Sequence, residues 1–247
     1  MATFVLVPGA WLGAWAWEDT AQALRERGHR ALPVTLTGLG ERSALATPEV
    51  GLDTHIDDIT AFVLEQDLHE VTLVAHSYAS VPVTAAAGRL GTRLERVVYL
   101  DSAPFAEGTG LLDVMPEDVV GRLRREVAEH GDGWRLPLPP VGLLGALSSL
   151  EGLDEDRLDL MRTRATPQPF GTFEQRLTRP AELGPDVDHV VVACNDAQAL
   201  LDAGIPALAF LHRSPWRRFH LPTGHWPMLS TPVGLARTLD TVVASGH

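Results

Sequence analysis

Apolar, β-branched runs alternate along this chain with segments whose apolar positions recur every third or fourth residue, the pattern of strands interleaved with amphipathic helices. Residues 4–7 read as a first strand. Trp17, Ala21 and Leu24 then recur at helical spacing, and Gly28 supplies the stop. Residues 31–36 resume as a strand. From Asp53 onward, Ile56, Ile59, Phe62 and Val63 fall on one helical face, with Asp57 and Asp58 turned away from it. Residues 71–75 form the next strand and 83–90 a helix, with Pro82 near its start, where a missing N–H is tolerated. Residues 96–100 and 189–193 read as further buried strands and 216–221 as a short one. The chain closes with Thr231 as N-cap, Pro232 at the first helical position, and Val233, Ala236, Leu239 and Val243 spaced for one buried face. Such alternation predicts an α/β fold with a mostly parallel sheet covered by helices on both faces.

Between residues 104 and 186 the rhythm changes. Prolines and glycines interrupt helix-like patches at 118–129 and 154–164, and no strong strand stands out. The chain is therefore expected to consist of a core, 1–103 and 187–247, and a helical lid, 104–186. The lid's place would be over the carboxyl edge of the sheet, where open α/β folds bind ligands.

The length of 247 residues allows a full core. No apolar stretch approaches the roughly 20 residues a membrane span requires. A formal net charge of -12 disfavours nucleic acid and anionic membranes as partners. A small-molecule substrate remains, and a homodimer is compatible with the sequence. The N-terminus enters its strand-like run without a basic leader pattern, so cytoplasmic residence is expected. Cys194, the only cysteine, excludes an intramolecular disulfide and multi-cysteine metal sites; at the end of an apolar run it reads as a small buried hydrophobe. No metal or other cofactor is expected.

Ser77 follows the third strand in Ala75-His-Ser-Tyr-Ala79, close to the G-x-S-x-G turn that presents a nucleophilic hydroxyl between strand and helix. A serine hydroxyl needs a base within hydrogen-bond reach, and the base needs a carboxylate to hold its tautomer. Of ten histidines, His225 is best placed, in a glycine-containing loop before the last helix. His76 is read as packing, its ring turned away from the hydroxyl. His29, His55, His69, His130 and His247 stand in polar settings and are read as exposed. For the carboxylate, Asp196 follows one strand, Asp101 ends another, and Asp202 is a third candidate; Asp196 is preferred. The N–H of Tyr78 and that of Ala10, in the loop after the first strand, are the expected oxyanion donors. The glycines of that loop do not make a dinucleotide site, because Trp11 stands where the G-x-G-x-x-G pattern would place its next glycine; Gly38 and Gly40 fail likewise at Ser43.

With these motifs, with the opening run 4–17, and with Pro167-Gln-Pro-Phe-Gly-Thr-Phe173 and Gly224-His-Trp-Pro-Met228, the chain resembles α/β-hydrolases of the plant methylesterase and hydroxynitrile lyase group and their bacterial esterase-like relatives. The resemblance spans almost the whole chain. It implies a Ser77, Asp196, His225 triad with an oxyanion hole from Ala10 and Tyr78. This sequence has Pro8 where relatives have histidine, and Ala75 and Ala79 where they have glycine, so a relaxed turn at Ser77 is expected. Hydroxynitrile lyases carry a threonine and a lysine where this chain has Gly9 and Trp226, which favours hydrolysis. Trp11, Phe105, Met115, Trp134, Met161, Phe170, Phe173 and Trp226 are the expected substrate contacts, suited to a small hydrophobic or aromatic ester. The alternatives are a non-hydrolytic cyclase, isomerase or lyase on the same fold, and a catalytically weak small-molecule receptor.

Overall fold

The computed structural model describes residues 1–178, 184 and 186–246. In chain order its strands are β1 (Thr3–Val7), β2 (Arg30–Pro33), β3 (Val71–His76), β4 (Leu94–Leu100), β5 (Arg135–Leu136), β6 (Gln168–Pro169), β7 (Asp188–Ala193) and β8 (Arg217–His220). The helices are α1 (Glu18–Glu26), α2 (Leu52–Glu65), α3 (Ser80–Leu90), α4 (Glu117–His130), α5 (Val141–Leu147), α6 (Glu155–Arg164), α7 (Gly171–Glu174), α8 (Asn195–Asp202), α9 (Pro227–Ser230) and α10 (Pro232–Ala244).

Six strands form one sheet in the order β2-β1-β3-β4-β7-β8, and every neighbouring pair is parallel. Two helix pairs flank it, α1 with α10 and α2 with α3. This is the parallel α/β arrangement expected from the alternating pattern, in the α/β-hydrolase fold that the resemblance implies. The central strands β3 and β4 are apolar almost throughout because both faces are covered; every residue of β3 is buried. At the amino-terminal edge, Arg96 reaches across from β4 to Asp188 of β7 at 2.7 Å, and Arg217 of β8 meets the same carboxylate. These pairings join three adjacent strands.

The strand order reverses between β1 and β3. At such a point the loops leaving the two strands turn opposite ways and leave a crevice at the carboxyl edge. The chain between β4 and β7 lies on that edge. It contains α4 and α6, as the helix-like patches predicted, and the two-residue antiparallel pair β5–β6, which no sequence signal marked. Residues 179–183 and 185, near the expected end of the lid at 186, lie outside the described residues, as does His247. Thr231 precedes α10 as expected, but its side chain makes no capping bond. Among the described residues no helix is long and apolar enough to cross a membrane.

Candidate active site

Ser77 follows β3 directly and has φ 52°, in the left-handed region. Ala75 and Ala79, on either side of it, are both fully buried. The side chain of Ser80 stabilises the bend by donating to the Ser77 carbonyl at 2.7 Å. Gly9, after β1, approaches so closely that a Cβ there would stand 3.2 Å from Ser77 Cβ and 2.7 Å from His76 Nδ1. Only glycine lets the two loops meet at this distance.

The Ser77 hydroxyl stands 2.8 Å from Nε2 of His225, and Nδ1 of His225 stands 2.6 Å from Oδ2 of Asp101. The acid in contact is thus Asp101 and not Asp196. Asp101 ends β4, which lies directly beside β3, and its φ of 47° turns the carboxylate back over the sheet edge. Its second oxygen accepts the Cys194 N–H at 2.9 Å. Asp196 lies in the first turn of α8, exposed, and accepts the Ser149 N–H at 3.0 Å. It bears on His225 only at second hand, since the Ser149 carbonyl accepts the His225 N–H at 2.9 Å. A Cβ on Gly224 would clash with backbone atoms of Ser149 and Glu151 at 2.6–2.7 Å, so glycine is what allows the histidine loop to rest on this segment. Asp202, the third candidate, takes part in a surface bond with Gln198.

Burial alone would raise the carboxyl pKa of Asp101, but its hydrogen bond to His225, the His225 charge, and the Cys194 N–H outweigh that and hold it below the usual value. Cys194 is buried, and desolvation together with Asp101 pushes its thiol pKa up, which fits an inert hydrophobe. His76 is fully buried. Its Nε2 donates to the His225 carbonyl at 2.7 Å, and desolvation followed by the charge of His225 lowers its pKa to about 3. It packs as expected and also fixes the backbone of the base.

The oxyanion candidates sit in a bonded frame that sequence reasoning missed. Trp11 has φ 64° and is pinned by the inserted segment at three points. Its N–H donates to Gln168 Oε1 at 3.0 Å, its indole N–H to the Leu136 carbonyl at 3.0 Å, and its carbonyl accepts the Thr166 N–H at 3.0 Å. The Trp11 amide is thereby engaged with the insertion, while Ala10 lines the cavity at Ser77. Gln168 also donates to Thr172 at 2.8 Å. On the other side, the Tyr78 hydroxyl lies 2.7 Å from Nδ1 of His55, whose Nε2 lies 2.9 Å from the Thr37 carbonyl. A carbonyl only accepts, so Nε2 carries the proton and Nδ1 takes that of the phenol. His55 is therefore buried and neutral, not exposed; desolvation lowers its pKa to about 4. His29, likewise read as exposed, is partly buried between the Ala2 N–H and Asp240.

A cavity of about 460 Å³ opens beside Ser77, and Ala10, Tyr78, His225 and Trp226 stand on its wall. Of the expected substrate contacts, Trp11, Met115, Phe173 and Trp226 line it, and Phe105 lines a neighbouring cavity that also reaches Ser77. Met161 and Phe170 do not: both are buried in the core, at 1% and 5% exposure. Trp134 faces neither cavity and packs under the guanidinium of Arg135.

Ser77, His225 and Asp101 thus stand in hydrogen-bonded series on the carboxyl edge of a parallel sheet. The alpha/beta hydrolase family model matches residues 4–238, and the chain belongs to that family. It is 32% identical to a carbendazim hydrolyzing esterase of Nocardioides sp. (strain SG-4G), over 97% of this chain and 98% of that one. It is 25% identical to the putative methylesterase 14, chloroplastic, of Arabidopsis thaliana, over 96% of this chain and 70% of that protein. Among solved structures, an extracellular alpha/beta-hydrolase from a Paenibacillus species superposes with a TM-score of 0.81 at 18% identity, covering 98% of both chains, and shows the same fold. The relatives make this an esterase-type hydrolase.

Proposed function

We propose that the chain is a serine esterase acting through an acyl-enzyme. The reading is carried by the unbroken series from Asp101 through His225 to Ser77, with spacings of 2.6 and 2.8 Å. Nε2 of His225 takes the hydroxyl proton as Ser77 Oγ bonds to the ester carbonyl carbon. The carbonyl oxygen, now an anion, is met by the N–H groups of Ala10 and Tyr78. The C–O bond to the alcohol breaks as His225 returns its proton to the leaving oxygen. Water then repeats the sequence: it loses a proton to His225 and adds to the acyl carbon, and the bond to Ser77 Oγ breaks as His225 returns that proton to Oγ, releasing the carboxylic acid. Asp101 holds Nδ1–H and stabilises the imidazolium that forms in both halves. No step calls on a metal or cofactor.

The Ser77→Ala variant is expected to lose at least about a thousandfold in kcat on a chromogenic p-nitrophenyl ester while still folding, because the hydroxyl is the group that bonds to the substrate. Retention of full activity would falsify the reading. In the wild-type chain a fluorophosphonate should label Ser77, and hydrolysis should fade on acidification, since only neutral imidazole accepts a proton.

A further inference from the structure

Two cavities meet at Ser77. One, of about 460 Å³, holds Ala10, Tyr78 and His225 on its wall; the other, of about 410 Å³, extends from Ser80 and Asp101 between Phe105 and Phe210. Apart from Ser77, the two share only Leu111 and Val114, so these side chains form the partition. Neither wall, among the described residues, includes an arginine or lysine to pair with a carboxylate.

The rims carry a second observation. Val114 on the partition is 63% exposed, Leu200 at the first cavity 51%, and Phe210 at the second 38%. A lone surface hydrophobe means little, but large apolar side chains gathered at the mouths of two joined cavities mark a surface that a ligand covers. Burying them contributes roughly 25 cal/mol per Å² of apolar area removed from water.

Resting on the esterase reading above, the geometry points to a two-armed substrate: a neutral ester with an apolar group on each side of the carboxyl, one seated in each cavity. When Ser77 Oγ has added to the carbonyl carbon and the oxyanion faces Ala10 and Tyr78, two substituents remain, the acyl chain and the alkoxy group. They diverge from one tetrahedral atom, as the two cavities diverge from one hydroxyl. A methyl ester occupies a single arm and leaves the other wet.

The test measures kcat/KM on three sets of esters: methyl esters of lengthening acyl chain, acetates of lengthening alcohol, and esters long on both sides. Wild-type protein is expected to hydrolyse the doubly long esters at least about tenfold better than either singly long set, since each added buried group is worth a factor of ten or more. Two exposed wall alanines serve to narrow the arms, Ala146 of the first cavity and Ala207 of the second. Ala146→Trp should lower one singly long set at least about tenfold relative to the other, Ala207→Trp should do the opposite, and both should slow the doubly long esters. Thermal unfolding checks that each variant is folded. Methyl esters proving the best substrates, both variants disfavouring the same set, or Ala207→Trp altering no ratio would each overturn the two-armed substrate while leaving the esterase reading intact. Failure of a fluorophosphonate to label Ser77, with no ester hydrolysed, would instead remove the esterase reading, and this inference with it.

Discussion

At Asp101 one carboxyl group meets two donors, the imidazole of His225 through Oδ2 and the Cys194 N–H through Oδ1. Both bonds favour the charged form, which is why its pKa lies low despite burial. The consequence at this scale is a contrast between two aspartates. Asp101→Asn should lower kcat by about 10³ to 10⁴, because an amide can offer Nδ1 a donor and trap the wrong tautomer. Asp196→Asn keeps an acceptor for the Ser149 N–H and should stay within about threefold of wild type, as surface changes away from the reacting groups do. Steady-state kinetics on one ester separates the two. Comparable losses in both would return the acid's role to Asp196. Ser77 and His225 were legible in the sequence because each stands in a short motif with its own loop. The acid was not, since both aspartates follow a strand and nothing local says which strand lies beside β3.

Among the elements, the short ribbon β5–β6 has an effect out of proportion to its four residues. It offers Leu136 O and Gln168 Oε1 to Trp11, which holds the loop after β1 at a backbone angle that costs of order 1–3 kcal/mol in isolation. The insertion is thereby tied to the loop that carries Ala10, the proposed oxyanion donor. Gln168→Ala should lower kcat by about tenfold to a hundredfold, short of what deleting an oxyanion donor outright costs, with KM within about twofold. Affinity for a trifluoromethyl ketone, which mimics the tetrahedral adduct, should weaken by the same factor as kcat. A loss confined to thermal stability, with kcat intact, would leave Gln168 a packing residue only. Two-residue strands carry too little periodicity to be seen in sequence, and a buried glutamine looks like any other until its partner across the fold is known.

For the whole molecule, the buried neutral histidines set a pH response. The folded pKa of His55 is about 4 and that of His76 about 3, both driven down first by desolvation. In the unfolded chain both titrate near 6.5. Below that pH the unfolded state takes up protons that the folded state does not, so stability is fully present above about pH 6.5 and is lost as pH falls toward 4. Over its whole titration range each group contributes on the order of 3 to 5 kcal/mol to that loss. Urea unfolding at pH 7 and pH 5 should show the decline, and His55→Gln, which titrates no longer, should make it shallower even if less stable at pH 7. An unchanged slope in that variant would show that His55 is not the group titrating.

The sequence by itself determined the class of fold, the sheet strands and the helices that flank them to within about three residues, and the serine and histidine that face each other. All of these rest on periodicity, on turn chemistry, or on a motif read within a few residues. Only the tertiary structure decided that β4 neighbours β3 and so brings Asp101 to the histidine. It alone sent Met161 and Phe170 to the core, enclosed His55 behind Tyr78, and bound Trp11 to Gln168. These outcomes depend on which segments become neighbours when the sheet closes, and a one-dimensional pattern carries no record of that adjacency.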